Sequence, residues 1–455
     1  MTTAQPSPGL AAIPSLAANP VLSSWLAFSP GGTVTIFSGK VEYGQGVWTA
    51  LAQIAAEELD VALARVTVAP VSTGGSPDEG TTSGSLSIQH SGSALRQACA
   101  QARALLLALA ADQTGMPADA LTVGDGQILA AGRPTGLSYW SLASPGVLDR
   151  EAGGPVPVKP PDRWSVAGRS APRLDLPDKV TGRPRFLHDL VLAGMRYGRV
   201  IRPPALAAEL LSAGEPDLPA GMVTVRDGSF LGVVADTDAG ALRAARLVAK
   251  AARWQITESL PDDRDLKGFL LSAPAEEVPV ESRRDPRAAA AAATARTAEY
   301  TRPFLAHASM APSCAIARWD GEAVTVWSHS QGVFALRDAL AAGLRLDPGQ
   351  VTVHHAEGAG TYGHNGADDA ALDAVLLARA VPGRPVRVQW SREDEMGWAP
   401  LGPAMLARLS AGLDASGKIV TWRQDVWSNG FIGRPGTARA SSTASRAASS
   451  APLWP

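Results

Sequence analysis

The chain has 455 residues, with 41 basic and 43 acidic side chains and a formal net charge of −2, so electrostatics gives no case for nucleic acid or an anionic membrane as a partner. Hydrophobic residues make up 45% and charged residues 18%, which fits several folded domains and excludes an intrinsically disordered chain. The two cysteines, Cys99 and Cys314, are too few and too far apart for a zinc or iron–sulfur framework.

In chain order, residues 1–20 are rich in Pro, Ala and Ser and are expected to form a flexible N-terminus. No basic stretch followed by an apolar core opens the chain, and no apolar run approaches the ~18 residues of a membrane span. A cytoplasmic protein is expected. A β-like run over 32–37 leads into Ser-Gly-Lys-Val-Glu-Tyr-Gly-Gln-Gly at 38–46, and an apolar helical pattern leaves it over 48–60. Strand, glycine-flanked turn and helix start present backbone N–H groups to a ligand, often an anionic one. Gly44 and Gly46 allow close approach, and Gln45 adds an amide that both donates and accepts. The same pattern also describes a plain tight turn.

A second strand over 66–70 and a Ser/Thr/Gly loop over 80–92 follow, then a long apolar helix over 94–111. Thr82, Ser83, Ser85 and Ser87 ahead of that helix suit a phosphate cradle, or an ordinary loop with a serine cap. Residues 146–163 read as a Pro/Gly-rich linker. An α+β module over 164–256 comes next, with strands near 195–202, 222–225 and 230–235 and a helix over 239–250. A charged, Ala-rich connector over 257–298 follows, whose poly-alanine run is helical by propensity. The last unit, 299–435, starts with an antiparallel hairpin at 314–328. It continues through Gln331, a helix and a strand into a glycine loop holding Gly358, Gly360, Tyr362, Gly363, His364 and Gly366. Residues 436–455 are low-complexity and expected to be disordered.

The spacing Gly358-x-Gly360-x-x-Gly363 matches a dinucleotide fingerprint, which makes a Rossmann-type NAD-dependent dehydrogenase a competitor. No acidic residue follows at the required distance, and the preceding strands read as antiparallel hairpins. The histidines at 307, 354, 355 and 364 fit no tetrahedral metal spacing. His364 alone is a candidate by its place in the loop, and no metal ligand is assigned.

The stretch 39–46, followed by Thr-Ala-Leu-Ala-Gln-Ile at 49–54, resembles the Gly-Gln-Gly signature of the xanthine dehydrogenase/aldehyde oxidase family of molybdenum hydroxylases. Arg173, Asp175, Lys179, Val180, Thr181 and Gly182 are similar to the opening of that family's α/β hammerhead domain. The Ala-His-Ala-Ser-Met stretch at 306–310, Gln331, the 357–366 loop and the Trp-Ser-Arg-Glu-Asp step at 390–394 resemble its first cofactor-binding region. The order is permuted, as in isoquinoline 1-oxidoreductase and nicotinate-dehydrogenase-like subunits. The resemblance implies an α+β (mixed α/β) fold with cofactor-binding pieces at 21–145 and 299–435 flanking the hammerhead domain.

It also implies a molybdenum–molybdopterin cofactor, in a dinucleotide form such as the cytosine dinucleotide. Gly44, Gln45, Gly46, Thr82, Ser83, Ser85, Ser87, Gln331, Gly358, Gly360, Tyr362, Gly363 and His364 would hold it. The implied reaction is hydroxylation of an N-heterocycle or aldehyde with oxygen from water. Electrons would pass to a small partner subunit carrying [2Fe–2S] clusters. An exported partner would make the location periplasmic. The family's late Gly-x-x-Glu glutamate has no counterpart here, so no catalytic residue is assigned and the chain alone is expected not to turn over. A truncated gene product, or an assembly completed by a second chain, would account for this. A non-catalytic, partner-binding remnant is the alternative.

Overall fold

The computed structural model describes residues 13–154, 156–257, 260–283, 285–363 and 369–430. The chain divides into two units. Unit 1 holds Met1–Met195, Cys314–Gly360 and Val381–Pro385, and unit 2 holds Arg196–Ser313, Thr361–Ala380 and Val386–Pro455.

Unit 1 begins earlier than its composition suggested. Residues 13–18, expected to belong to a flexible N-terminus, are structured: Pro14–Ala18 forms a short helix, and Ile13 and Leu16 are buried in the core. Proline in the first turn and apolar residues three apart explain it. Strand β1 (Leu26–Ser29) pairs antiparallel with β2 (Thr33–Ile36). Helix α1 (Val47–Leu59) then crosses to β3 (Val66–Val68), which lies parallel to β2. Val47, Leu51, Ala55 and Leu59 bury one face of α1. Helix α2 (Ser93–Thr114) faces the same core with Leu95, Ala98, Cys99, Ala102 and Leu106, and stops at Gly115 in the left-handed conformation. Each large side chain fully buried here, such as Trp25, Leu51 or Leu106, contributes about 1.5–3 kcal/mol.

The 146–163 stretch is not a free linker. Glu57 accepts the backbone N–H groups of Ser165, Val166 and Ala167 at 2.8, 2.6 and 2.9 Å, while Lys159 donates to Glu57 at 2.8 Å. Gln97 and Gln101 of α2 donate to the carbonyls of Val156 and Gly153. Proline and glycine remove local hydrogen bonds, and side chains from distant helices replace them.

The later part of unit 1 carries β4 (Cys314–Trp319), β5 (Val324–Ser328), helix α3 (Val333–Leu344) and β6 (Val351–His355). β4 and β5 form the expected hairpin. β5 and β6, however, run parallel, joined through α3. The expectation of hairpins throughout is therefore corrected: a helical crossover precedes the glycine loop, as parallel pairing requires. The segment around Val71 and Thr73 lies along β6, with His355 N–H donating to Val71 O at 2.8 Å and Thr73 N–H to Val353 O at 3.0 Å.

In unit 2, Val386–Gln389 runs parallel to Arg196–Val200. That strand pairs antiparallel with Phe230–Ala235, which pairs antiparallel with Val223–Asp227. Helix Asp238–Ala251 buries Ala241, Ala244 and Val248 and is capped by Thr237. A separate sheet is made of Thr294–Arg302, Met405–Leu413 and Ile419–Ser428. The expected connector over 257–298 is corrected here, since 294–298 begins a nine-residue strand. Every residue of that strand is exposed, so no apolar alternation signals it. The poly-alanine run is helical only as far as Ala290. Residues 436–455, expected to be disordered, lie outside the described residues.

Candidate cofactor site

The turn at 44–46 is built around Glu42. Its Oε1 accepts the N–H groups of Gly44 and Gly46 at 2.9 and 2.8 Å, and its Oε2 accepts that of Trp48 at 3.2 Å. Glu42 is 1% exposed. The N-terminus of α1 is thus already filled by a carboxylate from the chain itself, which suits the positive end of the helix dipole. The expectation that this turn offers its N–H groups to an anion is corrected on that ground. Gly44 and Gly46 have φ of 114° and 78°, where a side chain would be strained.

Gln45 projects from this braced turn into solvent. Its Oε1 accepts Tyr43 N–H at 2.8 Å and its Nε2 donates to Val41 O at 2.9 Å. A carboxamide has a further N–H and a further lone pair. The side chain is therefore held in one orientation with donor and acceptor capacity left over.

The 80–92 loop is fastened to the turn from below. Thr82 Oγ1 accepts Val41 N–H at 3.0 Å, and Thr82 exchanges backbone and side-chain bonds with Gln331, its N–H going to Gln331 O at 2.8 Å and its O receiving Gln331 Nε2 at 2.9 Å. Both residues are buried. Both were expected among the ligand-facing groups; here they bond to each other across 249 positions of sequence. Glu79 Oε2 gathers Ser38 Oγ, Gly39 N–H and Ser91 Oγ at 3.0, 2.8 and 2.8 Å. Buried Lys40 donates to Glu79 O at 2.6 Å, and burial lowers its pKa against the pull of the Glu79 and Asp78 charges.

Above this knot, Ser83 and Ser85 are exposed and Ser87 is half-buried. A π-helical turn, Ile88–Gly92, runs directly into α2, and the Ser87 hydroxyl at its start makes no cap hydrogen bond. This second helix start leaves its hydroxyl groups available, which the first does not.

The third piece is Glu357 with Gly358 and Gly360. Glu357 is 4% exposed and accepts Lys179 Nζ at 2.5 Å and Arg185 Nε at 2.9 Å. Lys179 also donates to Asp175 at 2.6 Å, and Arg173 holds Asp175 with two bonds of 2.9 and 2.6 Å. Arg173 Nη1 donates to Gly44 O at 2.8 Å, and Nη2 lies 3.6 Å from Glu42. Burial opposes the Asp175 charge, but Arg173 and Lys179 outweigh it and hold its pKa well below the usual value. Glu42, Asp175 and Glu357 offer oxygens within 4.8 Å of one another. Each of these carboxylates is paired with Lys179, Arg173 or Arg185.

His355 completes the underside. Its Nε2 lies 2.9 Å from Glu42 O and its Nδ1 3.2 Å from Ser330 O. Burial pushes its pKa down to about 4, against a smaller pull from these carbonyls. His354, on the opposite strand face, stacks on Trp327 at 5.5 Å.

Among the residues singled out from sequence, Gly44, Gln45, Gly46, Thr82, Ser83, Ser85, Ser87, Gln331, Gly358 and Gly360 therefore belong to unit 1. Tyr362 and Gly363 belong to unit 2, where Tyr362 is exposed with φ 52° and a Cβ on Gly363 would meet His307 at 3.4 Å. His364 lies outside the described residues. Sequence reading missed His355, and it gave Arg173, Asp175 and Lys179 no part in the site. The Arg-x-Asp-x-x-x-Lys spacing was visible, but its partners lie 129 and 178 positions away.

Residues 8–156 and 273–448 each match a model described as a molybdopterin cofactor-binding domain. The chain is 37% identical to a nicotinate dehydrogenase subunit of Pseudomonas putida over 88% of its own length and 34% of that protein. It is 27% identical to the isoquinoline 1-oxidoreductase β subunit of Brevundimonas diminuta over 95% of its length and 61% of that subunit. The molybdenum-binding subunit of an Escherichia coli aldehyde oxidoreductase shares 30% identity over 61% of the chain and 42% of that subunit. The chain thus spans a third to three-fifths of these relatives. With two cofactor-binding segments over most of its length and a mixed α/β fold, the chain belongs to the molybdopterin-binding subunits of the xanthine dehydrogenase/aldehyde oxidase family.

Proposed function

We propose that this chain is the cofactor-holding part of a molybdenum hydroxylase subunit. Its substrate is an N-heterocycle or an aldehyde, water is the oxygen source, and electrons pass to a separate [2Fe–2S] subunit in the cytoplasm. The observation that carries the reading is the pairing of an orientated, solvent-facing Gln45 amide with an uncapped, hydroxyl-rich helix start; the turn bearing Gln45 is tied through Arg173, Asp175 and Lys179 to Glu357, next to Gly358.

These donors fit a large group that is polar at one end and anionic at the other. Gln45 can donate and accept toward a pterin ring, while Ser83, Ser85 and Ser87 suit its phosphates or a second nucleotide such as cytidine. Gly358 and Gly360, without side chains, allow close approach. When bound, molybdopterin supplies the two-electron redox chemistry and the metal activation of water that this hydroxylation needs. The chain's own residues bind and orient. Glu42 and Glu357 are committed to backbone N–H groups and cations, so neither is free to take a proton from a reacting group. The chain alone therefore does not turn over.

The test is molybdenum and pterin analysis of the chain produced in a host that makes the cofactor, with a dye-coupled assay on N-heterocycles and aldehydes. Bound molybdenum with no turnover is expected. A folded chain without molybdenum or pterin would refute the cofactor reading and favour a partner-binding module. Multiple turnovers would refute the inactivity of the chain by itself.

A further inference from the structure

The Arg173–Gly182 stretch lies beside the 44–46 turn, and the buried charges gathered there balance. Three buried carboxylates, Glu42, Asp175 and Glu357, face three cations, Arg173, Lys179 and Arg185. At the solvent edge Asp178 and Arg183, 3.5 Å apart, add one charge of each sign. Arg173 reaches the turn itself, through Gly44 O at 2.8 Å and by packing 3.5 Å from where a Cβ on Gly46 would lie. Leu174 N–H donates to Thr49 Oγ1 in the first turn of α1 at 3.0 Å. Lys179 spans Asp175 and Glu357, and through Asp175 and Arg173 it ties the 44–46 turn to the start of the 357–360 loop.

We propose that Arg173, Asp175 and Lys179 are positioning residues for the ligand-facing turn. They form a charge-neutral clamp that holds Gln45 and Gly358–Gly360 in one arrangement and keeps the buried acids from repelling an anionic ligand. The proposal rests on the cofactor reading for the identity of that ligand, but not for the clamp itself. Removing Lys179 leaves Asp175 and Glu357 facing each other with one negative charge in excess. Such a site loosens the turn and disfavours phosphate nearby. Neutralising Glu357 as well returns the balance to zero.

The experiment compares the full chain with Lys179→Met and with the double variant Lys179→Met/Glu357→Gln. Two quantities are read: amide exchange of the peptide spanning 43–48, and pterin content after expression with cofactor. Lys179→Met should speed exchange at 43–48 at least tenfold and lower pterin content severalfold, with exchange across α2 unchanged. The double variant should recover most of both. Unchanged exchange at 43–48, or no recovery in the double variant, overturns the clamp. Faster exchange throughout α2 also overturns it, since that is the mark of a merely structural role. A wild-type chain that binds no pterin refutes the cofactor reading, and the exchange arm then decides the clamp alone.

Discussion

Unit 1 contains two helix starts that look alike in sequence and differ in state. Both follow glycine-bearing turns, and both read as anion cradles. At α1 the N–H groups of Gly44, Gly46 and Trp48 are taken by Glu42. At the turn leading into α2, Ser87 makes no cap bond and Ser83 and Ser85 face solvent. The first start is closed by an internal anion and serves as a rigid mount for Gln45. The second is open and suits an external anion. A helix N-terminus is therefore only as available as its neighbouring carboxylates allow.

The largest effect should come from unplugging the closed start. Glu42→Ala leaves three backbone N–H groups without acceptors and Arg173 without one of its anions, and should lower stability by about 3–5 kcal/mol. Urea unfolding measures it; a loss below about 1 kcal/mol would mean that water replaces the carboxylate freely.

Next in size is acid sensitivity from His355, which sits beneath the same start. Its pKa in the folded chain is about 4, against an ordinary value near ~6.5 for the unfolded chain. The unfolded form therefore binds the proton first as pH falls. The stability conferred by the neutral ring is complete above about pH 6.5 and is lost down to about pH 4, by roughly 3 kcal/mol at most. His355→Gln should flatten that part of the stability profile. An unaltered pH profile would mean that the ring is charged in the folded chain and bridges both carbonyls.

The smallest effect should come from the open start. Serine caps removed elsewhere cost about 1 kcal/mol. Ser87→Ala should cost less than about 0.5 kcal/mol because its hydroxyl caps nothing, yet it should weaken pterin retention. A thermal shift matching a full cap loss would remove the contrast between the two starts.

Much of this was legible in the chain itself. The alternation in 32–37 and the 3.6-residue spacing through 48–60 and 94–111 define elements whose burial patterns follow directly. The exposed strand Thr294–Arg302 was not legible, because a strand with no buried face has no period to read. The N-terminal helix and the strapped 146–163 stretch were missed for a different reason. Composition measures local preference, and Glu57, Gln97 and Gln101 act on that segment from far away in sequence.

At the site, sequence alone singled out the residues proposed here to meet a cofactor: Gly44, Gln45 and Gly46, the serines of the 80–92 loop, and the glycines at 358 and 360. Glycine placement and hydroxyl clustering are local properties, written where they act. Only the tertiary structure decided which of these groups are spent. Thr82 and Gln331 satisfy each other across the fold, Glu42 closes one helix start, and Arg173 and Lys179 join the site from a motif with no local sign of it. A hydrogen bond or a buried charge is completed by whatever lies beside it in space, and a partner 178 positions away in sequence leaves no local record.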